Sequence, residues 1–455
     1  MLQNHPAPES RTLPQHITDE HNGLSYTLHG DYYFPDLELP EQQPIGKWGR
    51  LHLRHLESNH PGHFQRLLLT GALNAYLHTV DEQASERFDV LMKGYAQSWG
   101  ITEALKADLE AMGVEVELCK TCHGLVGTIK GGKPGKAVVA LRSDTDALPV
   151  EEKTGLPFAS ENKGVMHACG HDGHMTMLLA AAQYLAAHRD FKGKVVFIFQ
   201  PGEEGAGGAL AMIKDGLFER FPVDELYGFH NWTDVPVGEV RCRKGATMAG
   251  QDFFAIRVKG KGAHASAPQL SADAALAAAM ITTALQQIVS RNIAPLDSAV
   301  VSVTKIHTGS AFNIIPETAE VGGCTRFFSD ETGALIRERI EAVTKATAES
   351  VGCRAEVEFT PVAAVLNSNA RLAEELLAAA REVVGDEKAS FAEIPQMASE
   401  DFSYLAREVP GAYGFLGGQA PYGASNLHNP QFDFDDRVLS TGAALWVTIA
   451  RRRLA

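Results

Sequence analysis

The sequence predicts an α/β protein: a mixed sheet flanked by helices, interrupted by an inserted α+β unit and preceded by a mainly helical module. Three observations carry this. Short apolar runs such as Ala137-Val138-Val139-Ala140-Leu141 and Lys194-Val195-Val196-Phe197-Ile198-Phe199 alternate with helical stretches, as buried strands joined by crossover helices do. From Gly245 to about residue 357 the pattern changes to half-exposed strands and two long helices. The 455 residues also exceed what one small core accommodates, at about 150 residues per domain.

Taken in order, residues 1–23 are polar and rich in His and Pro, so a disordered tail is expected. Over 24–111, Leu69, Leu73, Tyr76, Leu77 and Val80, then Phe88, Leu91 and Tyr95, fall at helical spacing and predict a short helical module. From 112 to 244 strands are expected at 114–118, 127–129, 137–141 and 194–199, with helices at 175–187 and 209–217. The inserted unit, 245–357, reads as strands at 253–258, 299–303 and 319–321 and helices at 272–288 and 332–351. The chain then returns over 358–455 through helices at 372–384 and 438–452. Chemistry-bearing residues cluster where the strands of the main sheet end, the usual ligand position in open α/β sheets.

A net charge of -15 argues against a nucleic-acid-binding protein, because polyanions need a basic footprint. Apolar stretches such as Met177-Leu178-Leu179-Ala180-Ala181-Ala182 fall short of the roughly 20 residues that span a bilayer. The opening Met1-Leu2-Gln3-Asn4-His5-Pro6 has no basic start and no apolar centre, so a cytoplasmic location is expected. Six cysteines, at 119, 122, 169, 242, 324 and 353, form no dense disulfide framework, which fits a reducing compartment. Cys119-Lys120-Thr121-Cys122-His123 matches the pattern of c-type haem attachment. Without an export signal that reading is rejected, and the segment is expected to be a strand end leading into Gly124.

The most informative stretch is Gly164-Val165-Met166-His167-Ala168-Cys169-Gly170-His171-Asp172-Gly173-His174, followed about thirty residues later by Gly202-Glu203-Glu204-Gly205. A thiol, several imidazoles and carboxylates in short loops suit a borderline-soft divalent ion. Two adjacent glutamates divide two jobs between them. One binds metal while its neighbour, held just outside, takes a proton from water activated by the ion.

Seven motifs in order resemble the aminoacylase, hippurate hydrolase and carboxypeptidase family of dinuclear metal-dependent amidohydrolases, from about Gly113 to the end. They are 141–149, the Cys169 loop, 200–205, 228–232, Gly262-Ala263-His264-Ala265, Asn313-Ile314-Ile315-Pro316 and Leu427-His428-Asn429-Pro430. The nearest branch cleaves N-acylated amino acids. The resemblance implies that Cys169, His171, Glu204, His230 and His428 hold two divalent ions per subunit (zinc, manganese or cobalt), with Cys169 shared. It makes Glu203 the general base towards a bridging water. It places His264 in the active site of a partner subunit, donating to the oxyanion, and so implies a homodimer paired through the inserted domain. Asn313 and Arg326 become candidates for the substrate carboxylate, and Glu400 and Asp401 lie near the site. The wider family has His where this chain has Arg142, so that position cannot ligate. Asp144 and Asp146 then read as carboxylates that orient imidazoles, and His167 and His174 flank the ligands.

Residues 24–108 resemble the small transposon-encoded TnpV-like proteins in their Tyr-rich start, the Ile45-Gly46-Lys47-Trp48-Gly49-Arg50 turn and the Gly100-Ile101-Thr102-Glu103-Ala104-Leu105-Lys106 close. This module stands where the amidohydrolases begin with an Arg-rich helix and a His-x-His-Pro-Glu-like stretch, so the chain looks like a fusion. Arg50, Arg54 and Arg66 interleave with Glu57, and a solvated helix face is favoured over phosphate contact. The expected activity is hydrolysis of an N-acyl amino acid, hippurate-like or N-acetylated. The alternatives are a catalytically impaired fusion acting as a scaffold, and a transposon-associated nucleic-acid binder acting through 45–76.

Overall fold

A computed structural model describes residues 14–18, 25–29, 32–35, 43, 45, 49, 52, 53, 56, 60–418 and 427–455, excepting the side chains of 29, 33–35 and 83–101. The chain divides into two compact units, Met1–Met92 and Lys93–Ala455, with the division inside the long helix Leu73–Ala111.

In the first unit, strands His16–Thr18, Ser25–His29 and Tyr32–Pro35 form an antiparallel sheet in sequence order. The tail expected to be disordered therefore contributes a strand. Ile17 pairs with Tyr26, and the third strand supplies the partner that a lone hairpin lacks. Residues 1–13 and 19–24 lie outside the described residues, as do Arg50, Arg54 and most of the Ile45–Arg50 turn. Helix Pro61–Leu69 starts on a proline, whose missing N–H costs nothing in a first turn. Leu56, Leu67 and Leu77 form a small core with Phe64 and Tyr76 against it.

The second unit contains an eight-stranded mixed sheet. Its order is Ala389–Phe391, Val240–Cys242, Gly411–Gly417, Glu225–Trp232, Lys133–Asp144, Lys192–Gln200, Leu125–Lys130 and Glu115–Leu118. The central strands run parallel, with Asp144 opposite Gln200, and Leu125–Lys130 is antiparallel to Lys192–Gln200. Helices His171–Ala187, Ala370–Val384 and Leu439–Arg453 bury one apolar side each against this sheet. The last turns of the long helix bury Leu105 and Leu109 in the same core, beside Val114, Leu125 and Ile129. Each such leucine contributes roughly 1.5–3 kcal/mol of burial, so the last turns of this helix form part of the core's wall.

A separate sheet, ordered Ala299–Thr308, Thr318–Phe327, Gly250–Lys259 and Arg354–Ala363, is wholly antiparallel. It packs under helices Ala274–Leu285 and Asp330–Ser350 around its own core of Phe254, Ile256, Ile281, Ile336 and Ile340. Asp273 and Ser329 cap those helices through their side-chain oxygens. This is the inserted α+β unit. Strand Arg354–Ala363 escapes the sequence reading although Arg354-Ala355-Glu356-Val357-Glu358-Phe359 alternates, because its charged positions leave a weak apolar signal.

Candidate metal centre

The site lies at the end of the sheet where the interior strands Lys133–Asp144 and Lys192–Gln200 finish. Gly170 precedes helix His171–Ala187 in the left-handed region, φ 86°, and a Cβ there would meet Asn231 Oδ1 at 2.7 Å. Only glycine makes that turn without displacing a neighbour. It sets Cys169 before the helix and His171 and His174 one turn apart on it.

The His171 ring donates Nδ1–H to the Asp146 carbonyl oxygen at 2.9 Å, since a carbonyl can only accept. His230 likewise donates Nδ1–H to the Asn231 carbonyl at 2.6 Å. Each Nδ1 is thereby committed as a donor, leaving Nε2 as the ring atom on the cluster's side. Against the effect of burial, Asp144 and Asp146 hold the His171 imidazole above its ordinary value, a proton that a bound cation would displace. His230 Nε2 is 3.4 Å from Cys169 Sγ, and His428 Nε2 is 3.3 Å from the same sulfur and 3.0 Å from Glu204 Oε1. His171 Nε2 is buried with no hydrogen-bond partner, as an atom held for an ion would be. Donor atoms of Asp144, His171, His174 and His230 lie within 4.8 Å of one another, as do those of Cys169, Glu204 and His428, and those of His171, Glu203 and Glu204. Sulfur, nitrogen and oxygen donors in this arrangement fit divalent metal.

Not every member of those groups is available as a ligand. His174 Nδ1 sits 2.6 Å from Asp144 Oδ1, and its Nε2 accepts the Asn231 amide at 3.0 Å, so both ring nitrogens are engaged. Asp146 Oδ2 accepts the Glu204 N–H at 3.0 Å, and Asp144 Oδ2 accepts from Arg142 at 3.0 Å. His428 adopts φ 68°, a strained value for a side-chain-bearing residue, held by its N–H to the Ala168 carbonyl at 2.7 Å. Bonds to Cys169 and Glu204 push its imidazole up to about 10. Burial pushes the Cys169 thiol up in turn, a cost that a bound cation would reverse.

Behind the cluster lies a charge network of which the sequence signalled only some members. Arg142, 1 % exposed, donates to Gln200 at 2.8 Å, to Glu400 at 2.9 Å and to Asp401 at 3.1 Å, besides Asp144. Tyr413 donates to the other Glu400 oxygen at 2.6 Å. Glu203 faces this group: the Asp401 N–H reaches its Oε1 at 3.4 Å. Burial, then Glu400, Asp401 and Glu204, hold the Glu203 carboxyl well above its ordinary range. The contributions of Gln200, Asn231 and Tyr413 arise from strands that neighbour one another only in space.

His264 lies elsewhere. It sits exposed on the short strand Ala263–His264, paired with Ile314–Ile315, and its Nδ1 accepts from Ser266 Oγ at 2.8 Å. Asn313 is beside it, its carbonyl accepting the Ala265 N–H. Arg326 donates to the carbonyls of Met397 and Thr325. Among the described residues no hydrogen bond or ion pair joins these three to the clustered donors. His167 keeps a buried Nδ1 without a partner and lines, with Asp172 and Phe434, a cavity of about 500 Å³.

The pattern of transposon-encoded protein TnpV matches residues 25–123. A hippurate hydrolase of Campylobacter jejuni is 39% identical over 391 residues, covering 85% of this chain and 97% of that protein. Since 85% of 455 residues is about 387, the likeness begins by about residue 69, ahead of the helix Leu73–Ala111, and with 97% of the relative covered the family beginning expected to be missing has a counterpart in this chain. An N-acetyl-L-cysteine deacetylase of Bacillus subtilis is 35% identical, over 84% of this chain and 87% of its own length. Among solved structures, a dinuclear metal binding peptidase of Bacillus subtilis from the M20 family superposes with a TM-score of 0.68 at 30% identity, covering 78% of this chain and 92% of that one. The pattern of peptidase family M20/M25/M40 itself matches residues 140–452, a span that takes in every clustered donor, and the chain belongs to that hydrolase family.

Proposed function

We propose that this protein is a dinuclear metal-dependent amidohydrolase that cleaves the amide bond of N-acyl amino acids, with hippurate-like and N-acetylated compounds as first substrates. The observation that carries the reading is the meeting of donors at one place: His171 with His230, Cys169 with Glu204 and His428, and His171 with Glu203 and Glu204 each lie within 4.8 Å of one another, and His230 Nε2 is 3.4 Å from Cys169 Sγ. The hippurate hydrolase and deacetylase relatives support the substrate class. Cys169, its Sγ within 3.4 Å of both His230 and His428, would be the ligand that two ions share. Divalent ions there, zinc, manganese or cobalt, would lower the pKa of a water molecule and polarise the acyl carbonyl.

Glu203 stands beside Glu204, next to His171 on one side and to the Glu400 and Asp401 carboxylates on the other, and its raised carboxyl suits a group that takes and returns a proton. It accepts a proton from the attacking water as the new C–O bond forms, then delivers it to the nitrogen as the C–N bond breaks. Asp146 orients His171 and the Glu204 backbone, and His174 with Asp144 braces the cluster from behind. His264, exposed on the inserted unit, donates to the developing oxyanion in the site of a second copy, which makes the protein a homodimer through that unit. Asn313, beside His264, and Arg326 receive the substrate carboxylate. No described helix is long and apolar enough to cross a membrane. Six free cysteines suit a reducing compartment, so we place the protein in the cytoplasm.

The test is elemental analysis of the purified protein alongside hydrolysis of a panel of N-acyl amino acids, with and without added manganese. About two ions per chain with amide cleavage is expected. A folded protein with neither metal nor turnover would replace this reading with a disabled fusion acting as a scaffold.

A further inference from the structure

Cys119-Lys120-Thr121-Cys122-His123 has no part in the proposed reaction, and the fold shapes it closely. It forms the turn between strands Glu115–Leu118 and Leu125–Lys130, closed by the Cys119 N–H on the Gly124 carbonyl at 2.9 Å. The Asp215 carboxylate holds the backbone between the two cysteines, accepting from the Lys120 N–H at 3.0 Å, the Thr121 N–H at 2.9 Å and the Thr121 hydroxyl at 2.9 Å. A Cβ on Gly124 would lie 3.0 Å from Cys119 Sγ and 2.7 Å from Met212 Cε, so the glycine is what lets the sulfur turn inward.

We infer that Cys119 and Cys122 are a redox pair that closes to a reversible disulfide by exchange with a small-molecule disulfide, and that closure is transmitted to the Glu203 turn. The two cysteines stand three residues apart on one turn, which the Cys119 N–H and the Asp215 carboxylate hold closed. Each thiol shifts the other: Cys119 rises, while Cys122 is held below its ordinary value and is the attacking thiolate. Both are half-buried, open to a small reagent, whereas Cys169, Cys242 and Cys353 are buried.

The exchange balances as follows. Cys122 sulfur bonds one sulfur of R–S–S–R and expels the other as a thiolate. Cys119 sulfur, losing its proton, then attacks Cys122 and expels the second thiolate. The protein loses two electrons and two protons, and two R–SH molecules form.

The transmission rests on position. Leu125 pairs with Phe199, so the turn lies at the sheet end from which Gln200 leads to Glu203. Asp215 is the C-terminal cap of helix Gly208–Lys214. At that helix's other end the Gly208 N–H donates to the Gly202 carbonyl at 3.0 Å and the Ala209 N–H to Asp401 at 2.9 Å. Drawing the two sulfurs into a covalent bond moves the backbone that Asp215 grips, and the helix carries that shift to the residues around Glu203. This second half depends on the function proposed above.

The experiment treats metal-loaded full-length protein with glutathione disulfide, alkylates free thiols and maps the peptides by mass. The peptide holding Cys119 and Cys122 should lose two hydrogens and regain them with dithiothreitol. The Cys119→Ser protein should stop at one glutathionyl group on Cys122, and the Cys122→Ser protein should stay unmodified at Cys119. Wild type in which both cysteines are alkylated, or in which glutathionyl groups persist, would overturn the pair. Fully oxidised protein should turn over an N-acyl amino acid several-fold more slowly at unchanged metal content. An unchanged kcat in that sample overturns the transmission, whereas an inactive reduced protein that still forms the disulfide points to failure of the hydrolase reading alone.

Discussion

Asp146 holds His171 and Glu204 in one arrangement: its carbonyl accepts the His171 Nδ1–H at 2.9 Å while its carboxylate accepts the Glu204 N–H at 3.0 Å. A single residue at a strand end thus aims two donors from different segments. Replacing Asp146 with Ala keeps the carbonyl and removes the carboxylate. Metal affinity should fall about 10–100-fold, the usual cost of losing such a partner, as read by competition with a fluorescent chelator. An unchanged affinity would show that Glu204 needs no such guide.

Glu203→Gln keeps the shape and removes the base. The protein should retain its metal while kcat falls by roughly 10²–10⁴, and near-wild-type turnover would sink the general-base role.

The same substitution tests pH dependence in metal-stripped protein. The folded Glu203 carboxyl titrates well above its unfolded value, so between the two the folded state holds a proton that the unfolded state has released. Stability therefore falls as pH rises from about 4.5 through the raised value, by up to about 1.4 kcal/mol per pH unit. Urea midpoints measured from pH 5 to 8 should decline in the wild type and decline less steeply in Glu203→Gln, where Asp401, held up to about 8, and His428, held up to about 10, still titrate; parallel curves would count against burial as the cause.

Arg142 is enclosed by Asp144, Glu400 and Asp401, each within 3.1 Å of its guanidinium. Arg142→Met should destabilise the fold by about 3–5 kcal/mol, because the acids stay buried without their cation. Chemical denaturation reads this directly, and a loss under 1 kcal/mol, roughly a surface pair's worth, would mean that the acids find other partners.

His264→Ala should lower kcat by about 10²–10³ with KM little changed, as loss of an oxyanion donor does. If His264 serves the second copy's site, mixing inactive His264→Ala and Glu203→Gln proteins should restore about a quarter of wild-type activity, since half of randomly exchanged dimers carry one complete site. No recovery after verified subunit exchange would place His264 in its own subunit's site or in none.

The metal loop was legible because its chemistry is local: Cys169, His171 and the Glu203-Glu204 pair stand within short segments whose residue types suit one ion. The helix beginning at His171 extends the expected one N-terminally by a turn, since Gly170 allows the chain to enter it in the left-handed region. The roles of His174 and Asn231 were not legible. An imidazole that braces and an imidazole that ligates have the same sequence signature, and only the partners of both ring nitrogens separate them.

What the sequence determined by itself was the α/β class, the insertion, the family and the donors, because apolar period and residue type are written locally along the chain. Tertiary structure alone decided which nitrogen of each histidine is free and which acids neutralise Arg142, and it brought Leu105 and Leu109 of the long helix into the main core. Those outcomes depend on residues dozens to hundreds of positions apart meeting in space, and hydrogen-bond partners at that range leave no period to read.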